Sequence, residues 1–184
     1  GLAAVKAARG GLDILVNCTG IGPGAKTVSR GLPHDPAVFA KVVGINLIGS
    51  FNCASQAAAL MLERPADGPD GERGVIVNTA SVAAYEGQVG QVAYAASKGA
   101  VIALTKTAGQ QLARHDITVN AICPGVTRTD LLEQILTTMQ ETQGISKADA
   151  EARAARQIPL RRLNEPEDIA AMAVFLASPG ARNI

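Results

Sequence analysis

Short apolar runs alternate along this chain with longer stretches in which apolar residues recur at helical spacing. Leu12-Asp-Ile-Leu-Val16 is preceded by Gly10-Gly11 and followed by Asn17 and Gly20. Val75-Ile-Val77 follows a loop rich in Pro, Gly and Asp between Pro65 and Gly74. Ile117-Thr-Val-Asn-Ala-Ile122 runs into Pro124-Gly125. Brief, nearly continuous apolar runs of this kind predict strands buried on both faces, as parallel strands are. Helices are predicted from Pro36 to about Leu62 and from Val92 to about Arg114. One or two more, interrupted near Gly144, run from Asp130 to about Arg156, and another spans Pro166 to Ala177. The last has Pro at its first position and Glu and Asp in its first turn, where helix termini favour them.

Strand, helix, strand, helix, strand, helix is the grammar of an α/β fold with a doubly wound parallel sheet. No internal repeat or linker interrupts residues 1–184, which read as one domain. In such sheets ligands bind beyond the carboxyl ends of the strands. Polar and small residues gather at those places here: Asn17 to Gly24, Asn78 to Ser81, and Pro124 to Asp130.

Composition narrows the classes. Apolar residues make up 47% and charged residues 18%, the latter below the roughly 25% of an average soluble domain. A net charge of +1 and 3% aromatics leave neither a basic field nor a stacking platform for nucleic acid. No apolar run approaches the ~18 residues of a membrane span. Cys18, Cys53 and Cys123 form no Cys-x-x-Cys pair and have no His at ligand spacing. They read as buried reduced thiols, without a disulfide framework or a metal site. A soluble, reducing, cytoplasmic setting is expected.

Tyr94 and Lys98 lie four apart on a predicted helix and so share a face. An ammonium beside a phenol favours the phenolate, pulling the pKa below its usual value of about 10. A phenol so tuned exchanges a proton near neutral pH, as carbonyl–alcohol interconversion requires. Ser81 follows the second strand at the crevice edge, where its hydroxyl reaches a substrate oxygen. Alone, a Tyr-x-x-x-Lys spacing more often describes a surface pair.

The surroundings of that pair resemble the short-chain dehydrogenase/reductase family over almost the whole chain. Gly74-Val-Ile-Val-Asn-Thr-Ala-Ser81 precedes Tyr94 by thirteen residues, and Lys98 follows by four. Asn17-Cys-Thr-Gly20 is similar to the family's Asn-Asn-Ala-Gly motif, with Cys18 and Thr19 departing from it. Asn46 in Ile45-Asn-Leu-Ile-Gly-Ser-Phe51 matches its helix asparagine, and Pro124-Gly-Val-Thr-Arg-Thr129 its Pro-Gly motif.

The resemblance implies a Rossmann-like fold and a nicotinamide cofactor, NAD or NADP with NAD favoured. It implies Tyr94 as general acid and base, Lys98 lowering its pKa and holding the nicotinamide ribose, and Ser81 polarising the substrate carbonyl. Asn46 would bind a water in a proton relay; its bland alternative is a helix asparagine bonded to backbone. Asn17 would support the strand ends while Cys18, Thr19 and Gly20 run past the adenosine ribose. Pro124, Gly125, Thr127 and Thr129 would approach the nicotinamide, although Thr127 and Thr129 equally suit capping of the helix near Asp130. Gln91, three residues before Tyr94, would face the substrate or lie in a solvated loop.

Two branches of the family compete for the substrate. Asn78 to Gln91 is similar to the type 10 hydroxysteroid and 3-hydroxyacyl-CoA dehydrogenases. Gln157-Ile-Pro-Leu-Arg-Arg-Leu163 and Glu165-Pro-Glu-Asp-Ile169 resemble 3-oxoacyl-carrier-protein reductases and polyol dehydrogenases. The segment from Thr129 to Ile158 is the expected substrate lid. Arg161 and Arg162 suit a carrier phosphate or a solvated loop. The leading expectation is hydride transfer on a 3-hydroxyacyl or 3-oxoacyl thioester. Steroid, polyol or other small-alcohol substrates, and a non-catalytic cofactor sensor or scaffold, are the alternatives.

Family members open with a strand, a Gly-rich turn and a helix that cradles the pyrophosphate. None occurs before Leu12, and the residues from Leu2 to Arg9 read as the end of a helix. The first βαβ unit is expected upstream and one more strand after Ile184, with weak cofactor binding by this segment alone. A homodimer or homotetramer packed through the two long helices is expected.

Overall fold

In a computed structural model, which describes residues 1–66 and 71–184, the three apolar runs lie side by side as β1 (Ile14–Asn17), β4 (Gly74–Thr79) and β5 (Ile117–Ile122). All pairs are parallel, in the order β1-β4-β5. The register sets Asn17 opposite Asn78 and Thr79 opposite Ile122, so the three strands end together. Four residues of the Pro65–Gly74 loop, 67–70, lie outside the described residues.

Period-two alternation sends the strand side chains into two separate cores. Ile76, Ile117, Val119 and Leu15 meet Ala54, Ala57, Ala58 and Met61 on one face. Val75, Val77 and Ile122 meet Leu176 and Ala181 on the other. Helices on both faces of a parallel sheet give the expected doubly wound, Rossmann-like α/β architecture. The expectation of strands buried on both faces fails for β1. Leu15 is packed, while Ile14 and Val16 are 46% and 39% exposed. The reason is coverage: the second core is built on β4 and β5 and does not reach β1.

The long helix from Pro36 is continuous to Met61 but not uniform. It comprises α2 (Pro36–Val43), a π-helical turn (Gly44–Gly49) and α3 (Ser50–Met61). Asp35 caps it, accepting from Ala37 N at 2.8 Å. Glycines, weak helix formers, bracket the π-helical stretch, and the turn carries Asn46, which is fully buried. By length and composition this helix is apolar enough to cross a membrane, contrary to the expectation that no run approaches that length. Polar residues interrupt its apolar positions: Asn46 is buried, whereas Lys41, Asn52, Ser55 and Gln56 are exposed. Ala54, Ala57, Ala58 and Met61 pack on the sheet.

The remaining helices are α1 (Leu2–Arg9), α4 (Val92–Leu112), α5 (Asp130–Gln143), α6 (Lys147–Gln157) and α7 (Pro166–Leu176). Gly144, at φ 66°, ends α5 in the left-handed conformation that glycine favours. Asp168 turns back to accept from Glu165 N at 2.8 Å and fixes the start of α7. A small hairpin, β2 (Val28–Ser29) and β3 (Leu32–Pro33), escaped the sequence reading. Its turn places both Arg30 and Gly31 at positive φ. Arginine is not a residue that signals such a turn, and Val28 and Leu32 are exposed, so no buried pattern marks the strands.

Candidate active site

The strand ends are spliced by backbone bonds. Ala80 N donates to Ile122 O at 2.8 Å and Val82 N to Pro124 O at 3.0 Å. Ser81 caps a short 3-10 turn, Val82–Ala84, accepting from Ala83 N at 3.2 Å. The same hydroxyl faces the Tyr94 phenol and favours its ionised form. Tyr94 sits in the first turn of α4, with Lys98 one turn further along, its Nζ 5.7 Å from the Tyr94 ring centroid. Lys98 is 4% exposed and donates to Thr79 O at 2.6 Å. Sequence spacing and sheet register thus bring Ser81, Tyr94 and Lys98 together.

The expected lowering of the phenol pKa is not what the site shows. Burial pushes Tyr94 above its ordinary value, and the Ser81 hydroxyl offsets only part of that. Lys98 spends a donor on Thr79 O. Burial lowers its pKa, opposed by the nearby Cys18 and Cys123. Desolvation, which spacing cannot reveal, outweighs the pairing.

Two hydrogen-bonded chains brace the strand ends. Asn17 Nδ2 donates to Asn78 Oδ1 at 2.8 Å and to Ser50 O at 3.2 Å. Asn78 Nδ2 donates to Thr105 Oγ1 at 3.0 Å. Asn17 therefore supports the strand ends. The amide of Asn46 clasps the Ile21 peptide, with Ile21 N donating to Oδ1 and Nδ2 donating to Ile21 O, each at 2.9 Å. The bland reading of Asn46, a side chain bonded to backbone, describes this side chain, although the backbone belongs to the strand-end loop rather than to its own helix.

A cavity of about 470 Å³ opens at the strand ends. Cys18, Gly20, Ser81, Gln91, Tyr94, Lys98, Pro124, Gly125, Thr127 and Thr129 line it. Asn17 and Asn46 stand behind the wall. Thr19 is exposed and does not line the cavity, because alternation past β1 points it away from its neighbours Cys18 and Gly20. Thr129 occupies the position before α5 without a side-chain cap bond, since its hydroxyl turns to Thr127 O at 3.5 Å. Thr127 donates to Gly125 O at 3.1 Å, which places its hydroxyl in the Pro-Gly turn. Cys18 and Cys53 are exposed, correcting the expectation of buried thiols; Cys18 lies on the cavity rim and Cys53 on the outer side of α3. Of the expected lid, α5 supplies Leu131, Leu132 and Ile135 to the wall. Arg161 and Arg162 do not reach it.

Gly22, Asn78 and Thr79 lie in the stretches expected at the strand ends but carried no expected role, and Ser97 and Thr105 carried none either. Ser97 and Thr105 are hydroxyls on the buried face of α4, which also carries Ala93, Lys98 and Val101.

Fold and site together define a Rossmann-like α/β protein whose polar groups converge at the carboxyl ends of parallel strands. The chain belongs to the short-chain dehydrogenase/reductase family of oxidoreductases. Residues 2–184 match the family model described as enoyl-(acyl carrier protein) reductase. Human 3-hydroxyacyl-CoA dehydrogenase type-2 is 43% identical over 136 residues, covering 73% of this chain and 52% of that protein. The chain thus spans about half the length of that relative. An actinorhodin polyketide ketoreductase solved with NADPH superposes with a TM-score of 0.87 at 34% identity, over 100% of this chain and 67% of its own. An NAD⁺-bound xylitol dehydrogenase gives 0.83 at 29% identity, over 99% and 68%.

Proposed function

We propose that this chain carries the proton-transfer half of an NAD(P)-dependent oxidoreductase that interconverts a secondary alcohol and a ketone, acting on a 3-hydroxyacyl or 3-oxoacyl thioester. The observation that carries the reading is the convergence of Ser81, Tyr94 and the buried Lys98 on one cavity wall, with Lys98 Nζ 5.7 Å from the Tyr94 ring centroid. Tyr94 gives its phenolic proton to the substrate oxygen in reduction and takes it back in oxidation. Ser81 orients that oxygen by hydrogen bonding. Lys98, held by Thr79 O, has ammonium hydrogens left for a ribose hydroxyl. Asn46 keeps the loop before it in place through Ile21.

The cofactor would supply the hydride. The wall suits it: a Cβ on Gly20 would stand 3.4 Å from Lys98 Nζ, and one on Gly22 3.1 Å from the Tyr94 ring, so both glycines leave room beside the reacting groups. Cys18, Gly20, Pro124, Gly125, Thr127 and Thr129 would form its walls. Val16, Leu131, Leu132, Ile135 and Ile169 make much of the remaining wall apolar, which favours an acyl chain over a polyol. The outer sides of the long helices expose Ile48, Phe51 and Val92, and we assign them to a homodimer or homotetramer contact.

The test is acetoacetyl-CoA reduction by the whole protein, with NADH and NADPH compared, beside simple ketones and polyol oxidation. Consumption of acetoacetyl-CoA in preference to the others is expected. Turnover of a polyol with none of the thioester would overturn the substrate reading.

A further inference from the structure

Ser97 has no part in the reading above. It is 1% exposed. Its hydroxyl donates to Tyr94 O at 2.8 Å and accepts from Asn46 Nδ2 at 3.0 Å. A side-chain amide has two N–H donors and one oxygen. Asn46 commits the oxygen to Ile21 N and one hydrogen to Ile21 O. Ser97 takes the other hydrogen and so anchors the amide to α4.

Ile21 lies between the two glycines that approach the reacting groups. The position of a Cβ on Gly20 is 3.4 Å from both Asn46 Oδ1 and Lys98 Nζ, and that on Gly22 meets the Tyr94 ring at 3.1 Å. The path Tyr94 O, Ser97, Asn46, Ile21 therefore joins the helix that presents Tyr94 and Lys98 to the loop packed against them. The same device recurs two turns along α4. Thr105 Oγ1 donates to Val101 O at 2.8 Å and accepts from Asn78 Nδ2 at 3.0 Å. Back-bonding to the preceding turn frees a hydroxyl's lone pair for a partner outside the helix. Thr105 shows that this helix accommodates a branched hydroxyl side chain in that role.

We propose that Ser97 is a positioning residue, which acts through Asn46 to hold the Gly20–Gly22 loop in register with Tyr94 and Lys98. This rests on the reading of Tyr94 as the proton carrier. Ser97→Ala leaves a buried Asn46 N–H without a partner, and the amide loses its tie to α4. Small displacements of reacting groups cost rate more than binding.

The experiment measures kcat and KM in the whole protein for Ser97→Ala, Ser97→Thr, Asn46→Ala and the Ser97→Ala/Asn46→Ala double variant, with Tyr94→Phe alongside. Ser97→Ala should lower kcat about tenfold with KM near wild type. Ser97→Thr should recover most of that. The double variant should be no slower than Asn46→Ala alone, because the two residues act in series. Additive losses, or an undiminished kcat in Ser97→Ala, overturn the proposal. If Ser97→Ala does not fold, Ser97→Cys, with a weaker donor and acceptor, enters the same cycle and is judged by the same two outcomes. Full activity in Tyr94→Phe overturns the proton-carrier reading instead, whatever the Ser97 cycle shows.

Discussion

Asn17 and Asn78 stand opposite one another in the sheet register, and their side chains are joined by a 2.8 Å hydrogen bond from Asn17 Nδ2 to Asn78 Oδ1. Asn78 is 1% exposed and its other polar atom donates to Thr105. Replacing it with Leu keeps the approximate volume and removes the bonds that Asn17 and Thr105 make to it. An unpaired buried polar group costs roughly 1–3 kcal/mol. Asn78→Leu should therefore lower stability by about that amount, read as a drop in the urea midpoint at unchanged m-value.

Gly22 marks how closely the loop approaches the phenol. A Cβ there would lie 3.1 Å from Tyr94 Cδ2 and 3.4 Å from Cε2, so the ring must yield. Gly22→Ala should reduce kcat by about tenfold while the folded state persists. Steady-state kinetics together with circular dichroism check this, and a normal kcat would show that the ring tolerates the methyl.

The pH dependence follows from the sign of the Tyr94 shift. Burial raises the phenol pKa above its ordinary value, so the protonated form that serves reduction is present throughout the neutral range. Reduction should stay flat in this group's titration until above about pH 10, whereas oxidation should rise with pH. Ser81→Ala removes the hydroxyl that opposes the shift. The alkaline limb of its residual activity should move to higher pH, which a kcat/KM profile in both directions reads directly. A shift to lower pH would contradict that role of the hydroxyl.

Phe51 is half exposed on α3, near the likewise exposed Ile48. A charge placed in a subunit contact is costly when buried. Phe51→Asp should convert the assembled protein to smaller species in light scattering after gel filtration, with the sheet intact by circular dichroism.

Much of this architecture was legible because its signals are local. Strand runs, the Pro and acidic start of α7, and the Ser81, Tyr94 and Lys98 spacing depend on neighbours in the chain. What escaped depends on distant groups. The exposure of Ile14 and Val16 reflects the reach of a helix more than a hundred residues away, α7. The π-helical turn at Asn46 is tied to the clasp on Ile21, twenty-five positions earlier. The direction of the Tyr94 shift is set by desolvation, a property of the assembled cavity. The outward turn of Thr19 is a matter of strand phase past β1, one residue from groups that line the wall.

The central claim is that the Tyr94 phenol carries the proton, and replacing that residue with Phe tests it most directly. Phe keeps the ring packed beside Gly22 and deletes only the hydroxyl that faces Ser81. Removing a general acid–base group lowers the rate by about 10²- to 10⁴-fold. Tyr94→Phe in the whole protein should show a loss in that range for acetoacetyl-CoA reduction, with thermal stability close to wild type. A rate equal to that of the unaltered protein would contradict the account.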